Sequence, residues 1–151
     1  MSLEEGMKAP EFSLAASRGR SVGSKALKGK PYVLYFYPKA DTSGCTKEAQ
    51  GFQAALAQFH KKGVQVIGVS RDAMKALDKF ADKYGLEFPL ASDEAGALTE
   101  AYGVWVEKSM YGRKYMGIER STFLVGADGK IAKAWRKVKI EGHVAEVLAA
   151  A

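Results

Sequence analysis

Pro31-Tyr32-Val33-Leu34-Tyr35-Phe36-Tyr37-Pro38 is apolar or aromatic at both parities between two prolines. A strand with one wet face alternates, whereas a strand covered on both faces does not. The run therefore reads as a central strand, and Pro38, with no N–H to give to a ladder, ends it. After a short polar stretch a second pattern starts. Cys45, Ala49, Phe52, Leu56 and Phe59 recur at helical spacing, Lys47, Gln50, Gln53 and Gln58 lie off that stripe, and Gly63 follows Lys61-Lys62 as a stop. The spacing predicts a helix from Cys45 to Lys62 with Cys45 on its inward face.

Working outward, Val64 to Val69 reads as a strand, Ala73 to Tyr84 as a helix closed by Gly85, and Phe88 to Ala91 as a short strand. Ser92 is placed to cap a helix from Asp93 to Tyr102. Ser121 to Val125 and Lys130 to Trp135 flank a turn containing Asp128-Gly129, a hairpin signal. A last amphipathic helix covers Gly142 to Ala150, and a small β element is expected around Glu11 to Leu14 and Arg20 to Val22. A β-α-β core followed by β-β-α is the thioredoxin-like order. We expect an α/β chain with a central mixed sheet flanked by helices and a small N-terminal β extension, forming a single domain over residues 1–151. Glu107 to Gly117 is long for an internal connection and is left as a loop, either edging a site or mobile at the surface.

Bulk properties narrow the function classes. The longest apolar run, Tyr32 to Tyr37, is too short to span a bilayer, and Met1-Ser2-Leu3-Glu4-Glu5 lacks a signal-peptide pattern. The one cysteine in 151 residues allows no internal disulfide, and a lone thiol survives best in a reducing compartment. A cytoplasmic protein is expected. The net charge of +6 comes from lysines and arginines scattered along the chain, so it is read as a solvated surface with no nucleic-acid or membrane partner. No apolar helix face stands out and Lys130, Lys133 and Lys137 guard the last strand, which favours a monomer.

A thiol at the hand-over from buried strand to helix faces unpaired amides and the positive end of the helix dipole, which favour thiolate. The plain alternative is a small inert core residue. The preceding Pro38-Lys39-Ala40-Asp41-Thr42-Ser43-Gly44 favours a site: it has a strand-ending proline, a hydroxyl three residues before the thiol, and a glycine that permits close backbone approach. Ionisation alone does not make such a thiol a catalyst. A fuller thiolate fraction gains about thirtyfold, and the fall in nucleophilicity takes back about tenfold. Donors aimed at the reacting oxygens must supply the rest, and Thr42, the Cys45 amide and Arg120 are the candidates.

Arg120 opens an interior strand, where a charge needs an anionic partner. That partner is the Cys45 thiolate, Glu48, or both; a solvated strand-end arginine and a first-turn glutamate are the plain readings. Tyr35, Tyr37, Trp105 and Trp135 are taken as core aromatics. His60 reads as a helix C-terminal residue and His143 as opening the last helix, with no ligand-spaced cluster near either, so no metal site is expected.

Pro38, Thr42 and Cys45 form a Pro-x-x-x-Thr-x-x-Cys motif after an aromatic strand, and this resembles the peroxidatic-cysteine motif of the peroxiredoxins. Tyr35 to Lys39 with Gly44-Cys45-Thr46-Lys47-Glu48 is similar to the bacterioferritin-comigratory (PrxQ) subgroup. The likeness runs on through Gly68 to Asp72, Met110-Tyr111-Gly112 and Gly117 to Leu124. The resemblance implies reduction of hydrogen peroxide and organic hydroperoxides through a cysteine sulfenic acid, in antioxidant defence. Pro38, Thr42, Cys45 and Arg120 match the catalytic positions, and neither metal nor flavin is implied.

The chain departs from that pattern at the resolving cysteine. Two-cysteine members carry it either five residues after the peroxidatic one, here Gln50, or on the following helix, about where Ala81 stands. An external thiol is therefore expected to reduce the sulfenic acid: thioredoxin, glutaredoxin or a low-molecular-weight thiol. A longer-lived sulfenic acid should also be prone to sulfinic-acid formation. Two other classes stay open, a non-catalytic thiol sensor or holdase on this fold, and a hydrolase pairing Cys45 with His143.

Overall fold

In the computed structural model, which describes residues 3–151, thirteen elements follow one another. They are β1 (Ser13–Ala16), β2 (Arg20–Gly23), β3 (Tyr32–Phe36), α1 (Ser43–Lys61), β4 (Gln65–Ser70), α2 (Met74–Tyr84) and β5 (Leu90–Ser92). The chain continues through α3 (Ala97–Ala101), β6 (Trp105–Met110), β7 (Arg113–Ile118), β8 (Ser121–Val125), β9 (Ile131–Trp135) and α4 (His143–Ala150). Seven strands make one sheet in the order β2-β1-β5-β4-β3-β8-β9. β3 runs parallel to β4 and antiparallel to β8, and β4 runs parallel to β5, so the sheet is mixed and the aromatic strand lies inside it. This is the thioredoxin-like arrangement.

Both parities of β3 are buried because both faces of the sheet are covered. Val33, Tyr35 and Tyr37 pack with Phe52, Leu56 and Phe59 of α1, Leu77 and Phe80 of α2, and Val147 of α4. Leu34 and Phe36 pack on the other side with Ile67, Val69, Tyr102 and Phe123. Tyr35 stacks on Phe52 with ring centroids 4.5 Å apart. Each large apolar side chain removed from water in this way contributes about 1.5–3 kcal/mol, so the contact between α1 and β3 fixes the helix whose first turn carries Cys45.

The structure corrects several expectations. Helix α1 starts at Ser43, which places Cys45 inside the first turn. Ser92 caps nothing, since its hydroxyl donates to the Asp72 carbonyl at 2.7 Å. The expected helix from Asp93 shrinks to the five residues of α3, because the Asp93 carboxylate accepts the Leu98 and Thr99 N–H groups at 3.1 and 2.7 Å and so sets the start downstream. The stretch read as a loop is largely the β6–β7 hairpin, a separate two-stranded sheet closed by Tyr111 and Gly112 at φ 51° and 78°, the double positive φ of a type I′ turn. The expected N-terminal β extension is present, and β1 joins it to the main sheet through Ala16 opposite Ala91. Tyr35 and Tyr37 are core residues, as expected. Trp105 and Trp135 are only half-buried: Arg71 lies 3.4 Å over the Trp105 ring, and the Trp135 indole donates to Glu146 at 2.8 Å.

Candidate active site

The loop that joins β3 to α1 is tied down residue by residue. Tyr37 N–H still reaches the Val69 carbonyl at 3.1 Å, and Pro38 then ends the ladder. Ala40 N–H donates at 2.8 Å to Asp72 Oδ2, which also accepts the Ser70 hydroxyl at 2.7 Å. Asp41, in the left-handed region at φ 60°, accepts the Tyr84 hydroxyl at 2.7 Å and Lys83 Nζ at 2.9 Å. The loop is thus anchored to the end of β4 and to the last turn of α2.

Thr42 is the N-cap residue of α1, yet its side chain caps no helix amide. Its hydroxyl donates to the Lys39 carbonyl at 2.8 Å. The hydroxyl expected to donate to a peroxide oxygen has its proton directed elsewhere, which leaves its lone pairs to accept one. The first helical bond runs from Thr46 N–H to the Thr42 carbonyl at 2.8 Å. The Ser43, Gly44 and Cys45 amides therefore precede the helical ladder, at the positive end of the helix dipole.

Cys45 is 1% exposed and Glu48, one turn further on, is fully buried. Arg120, in the link between β7 and β8, reaches both: Nη2 donates to Cys45 Sγ at 3.2 Å and Nη1 to Glu48 Oε1 at 2.6 Å. The guanidinium is thus a cationic donor held against the sulfur. The Arg120 carbonyl accepts Val138 N–H at 3.0 Å, which holds its backbone against the segment after β9. Glu48 Oε2 is buried with no hydrogen-bond partner among the described residues. Burial pushes the Glu48 carboxyl up to about 7, although Arg120 pulls it down.

Gly44 lets these groups meet. A Cβ at that position would stand 3.0 Å from Ile140 Cδ1 and 3.4 Å from Arg120 Nη2. Ile140 is a wall of the site that sequence reasoning missed, as are the anchors Asp72 and Asp41. The signs of Asp72 were its inclusion in the family likeness over Gly68 to Asp72 and its place after the C-terminal end of a parallel strand, where α/β sheets gather their sites.

His143 does not pair with Cys45. It is buried, its Nε2 lies 2.8 Å from Thr122 Oγ1, and burial lowers its pKa. The hydrolase expectation fails here, because the imidazole is engaged by β8 and the hydrogen bond to the thiol comes from Arg120. Gln50 is exposed, while Ala81 is buried in the same packed cluster as Cys45.

Residues 6–134 match the AhpC/TSA family. The chain is 51% identical over 148 residues to the putative peroxiredoxin bcp of Coxiella burnetii, covering 98% of each protein. Among solved structures it is similar to the Xanthomonas campestris bacterioferritin comigratory protein, described for alkyl peroxide reduction, with TM-score 0.91 and 44% identity over 97% of this chain and 96% of that one. It is similar also to a cysteine-to-serine variant of Xylella fastidiosa PrxQ, with TM-score 0.94 and 39% identity over 99% and 95%. Peroxiredoxin Q of Xanthomonas campestris is known too as two cysteine-to-serine variants, at positions whose separation equals that of Cys45 and Ala81 here. With relatives of this identity matched over nearly the whole of their length, the chain belongs to the AhpC/TSA family as a peroxiredoxin of the Bcp/PrxQ kind, a thiol-dependent peroxidase.

Proposed function

We propose that Cys45 is the peroxidatic nucleophile and that an external thiol completes the cycle. The Cys45 thiolate attacks one oxygen of hydrogen peroxide or an organic hydroperoxide, the S–O bond forms as O–O breaks, and the alkoxide or hydroxide takes a proton and leaves. Cys45 is oxidised to the sulfenic acid while the peroxide is reduced to alcohol or water. The observation that carries this reading is the two-way hydrogen bonding of Arg120, to Cys45 Sγ and to Glu48 Oε1. Arg120 is a fixed cation beside the reacting sulfur, and a preorganised donor at such a place contributes about 10²–10³ in rate.

The remaining residues take supporting parts. The Thr42 oxygen accepts the hydroperoxide O–H and orients it, and the Cys45 amide faces the leaving oxygen. Pro38 covers the site without offering a competing N–H. Gly44 leaves room for Arg120, and Glu48 holds Arg120 in place. No second cysteine exists in the chain, so the sulfenic acid is reduced by thioredoxin, glutaredoxin or a low-molecular-weight thiol. A cytoplasmic location suits the lone thiol, and among the described residues no helix is long and apolar enough to cross a membrane. A monomer suits the guarded edge of β9, where Gly6 and Met7 bond Ile131 and Lys133 is exposed.

The test is peroxide consumption by the reduced protein with excess dithiothreitol, thioredoxin or glutaredoxin, beside a Cys45→Ser control. Sustained, Cys45-dependent turnover is expected. A single stoichiometric oxidation without turnover would replace this reading with a sensor or holdase.

A further inference from the structure

The β6–β7 hairpin sorts its side chains onto two faces, because register partners in a ladder share a face and neighbours along a strand do not. Trp105 with Ile118, Glu107 with Met116 and Ser109 with Lys114 occupy one face, where Glu107 and Lys114 pair at 3.7 Å. Val106 with Gly117, Lys108 with Tyr115 and Met110 with Arg113 occupy the other. Lys108 is partly covered, although Glu107 and Ser109 beside it are exposed.

The Lys108 stem lies across a glycine. A Cβ at Gly117 would stand 3.2 Å from Lys108 Cδ and 3.4 Å from Cε. Gly117 is opposite Val106 and not Lys108, so the side chain runs back towards the base of the hairpin, from which the chain passes through Ile118 and Glu119 to Arg120. Burial first, and then Arg120, holds the Lys108 ammonium below its ordinary pKa against the opposite pull of Glu119 and Cys45, in keeping with a side chain turned towards the base of the hairpin. Among the described residues Lys108 belongs to none of the ion pairs. Arg120 is already shared between Glu48 and Cys45, whereas Lys108 is a cation free to meet a further anion.

The catalytic cycle says which anion that is. The hydroperoxide enters neutral and leaves Cys45 as a neutral sulfenic acid, whereas the reducing thiol reacts as thiolate. We propose that Lys108 is a binding residue for the reducing step, drawing an anionic, carboxylate-bearing low-molecular-weight thiol to oxidised Cys45 in preference to an uncharged one. The proposal rests on the external-thiol reading above. The thiolate attacks the Cys45 sulfur, an S–S bond forms as the S–O bond breaks, and the departing hydroxide takes a proton to become water. A second thiolate attacks the outer sulfur of the mixed disulfide, which releases the Cys45 thiolate and the oxidised thiol as its disulfide.

The test oxidises the full chain with one equivalent of hydrogen peroxide and follows reduction by 5-thio-2-nitrobenzoate, whose reacting form carries a carboxylate beside the thiolate, and by 2-mercaptoethanol, whose reacting form carries the thiolate alone, for the native protein, Lys108→Gln and Lys108→Arg. The ratio of the two rate constants, dianion over monoanion, is expected to fall about threefold to tenfold in Lys108→Gln, the effect of one additional charge at about a Debye length. It should recover in Lys108→Arg and lose its salt dependence in Lys108→Gln. An unchanged ratio in Lys108→Gln, or an equal fall in Lys108→Arg, would overturn the assignment. If neither thiol reduces the native sulfenic acid, the external-thiol reading itself falls and takes this one with it.

Discussion

Arg120 donates to Cys45 Sγ at 3.2 Å through one terminal nitrogen and to Glu48 Oε1 at 2.6 Å through the other. One guanidinium thus joins the proposed nucleophile to a buried carboxylate, and on that proposal its two bonds serve different ends, rate at the sulfur and stability at the glutamate.

Arg120→Ala should separate those ends. The rate constant for Cys45 oxidation by hydrogen peroxide, followed by stopped-flow fluorescence, is expected to fall about 10²-fold or more. Stability measured by urea unfolding at pH 8 should fall by about 1–2 kcal/mol, because without the guanidinium the buried Glu48 carboxyl rises further and has to hold a proton that the native one has largely released. The loss should shrink at pH 5, where the carboxyl takes a proton. An unaltered oxidation rate would remove Arg120 from the chemistry.

Glu48 makes stability depend on pH in a defined direction. Its carboxyl is raised from 4.5 to about 7, by burial first and against the pull of Arg120. Between those values the folded protein keeps a proton that the unfolded chain has released. The contribution is therefore fully present below pH 4.5 and is lost as the pH rises through 7, a change of about 3 kcal/mol. Glu48→Gln should flatten that part of the urea-unfolding profile. The same slope in the variant would mean that another group titrates.

Gly44→Ala tests the close approach at the mouth of the site. The new methyl meets Ile140 Cδ1 and Arg120 Nη2, so oxidation of Cys45 should slow about tenfold through a displaced guanidinium. Stability should move by only about 1 kcal/mol, since alanine is the better helix former. Adding Ile140→Val, which deletes Cδ1, should restore part of the rate. No recovery would place the obstruction at Arg120 alone.

Ala81→Cys addresses resolution. Positions 45 and 81 lie in one packed cluster, so peroxide-treated Ala81→Cys should lose two hydrogens by intact mass and form a disulfide. The native chain should instead gain two oxygens at high peroxide. A variant that also gains two oxygens and forms no disulfide would show that α2 cannot deliver a resolving thiol to Cys45.

The sequence by itself determined the elements whose causes are local. Both parities of Tyr32 to Tyr37 are apolar, which only a strand covered on two faces explains, and the stripe from Cys45 to Phe59 admits only a helix with the thiol facing inward. Glu48 came with that helix, one turn on. The β6–β7 hairpin was not legible, because it packs little of its surface and its strands carry no apolar alternation; only the backbone of Tyr111-Gly112 turns it. The start of α3 was misplaced because Asp93, and not Ser92, supplies the acceptor for its first amides.

Sequence reasoning named Cys45, Glu48 or both as partners of Arg120, and tertiary structure alone decided that it is both, across 75 and 72 residues of chain. It also decided the direction of the Thr42 hydroxyl, the anchoring of the loop by Asp72, the wall at Ile140 and the separation of His143 from the thiol. The physical reason is common to all of them. Backbone preference and hydrophobic period act over a few residues, whereas these bonds depend on sheet register and on how α1 seats against β3, which bring together groups that no local pattern relates.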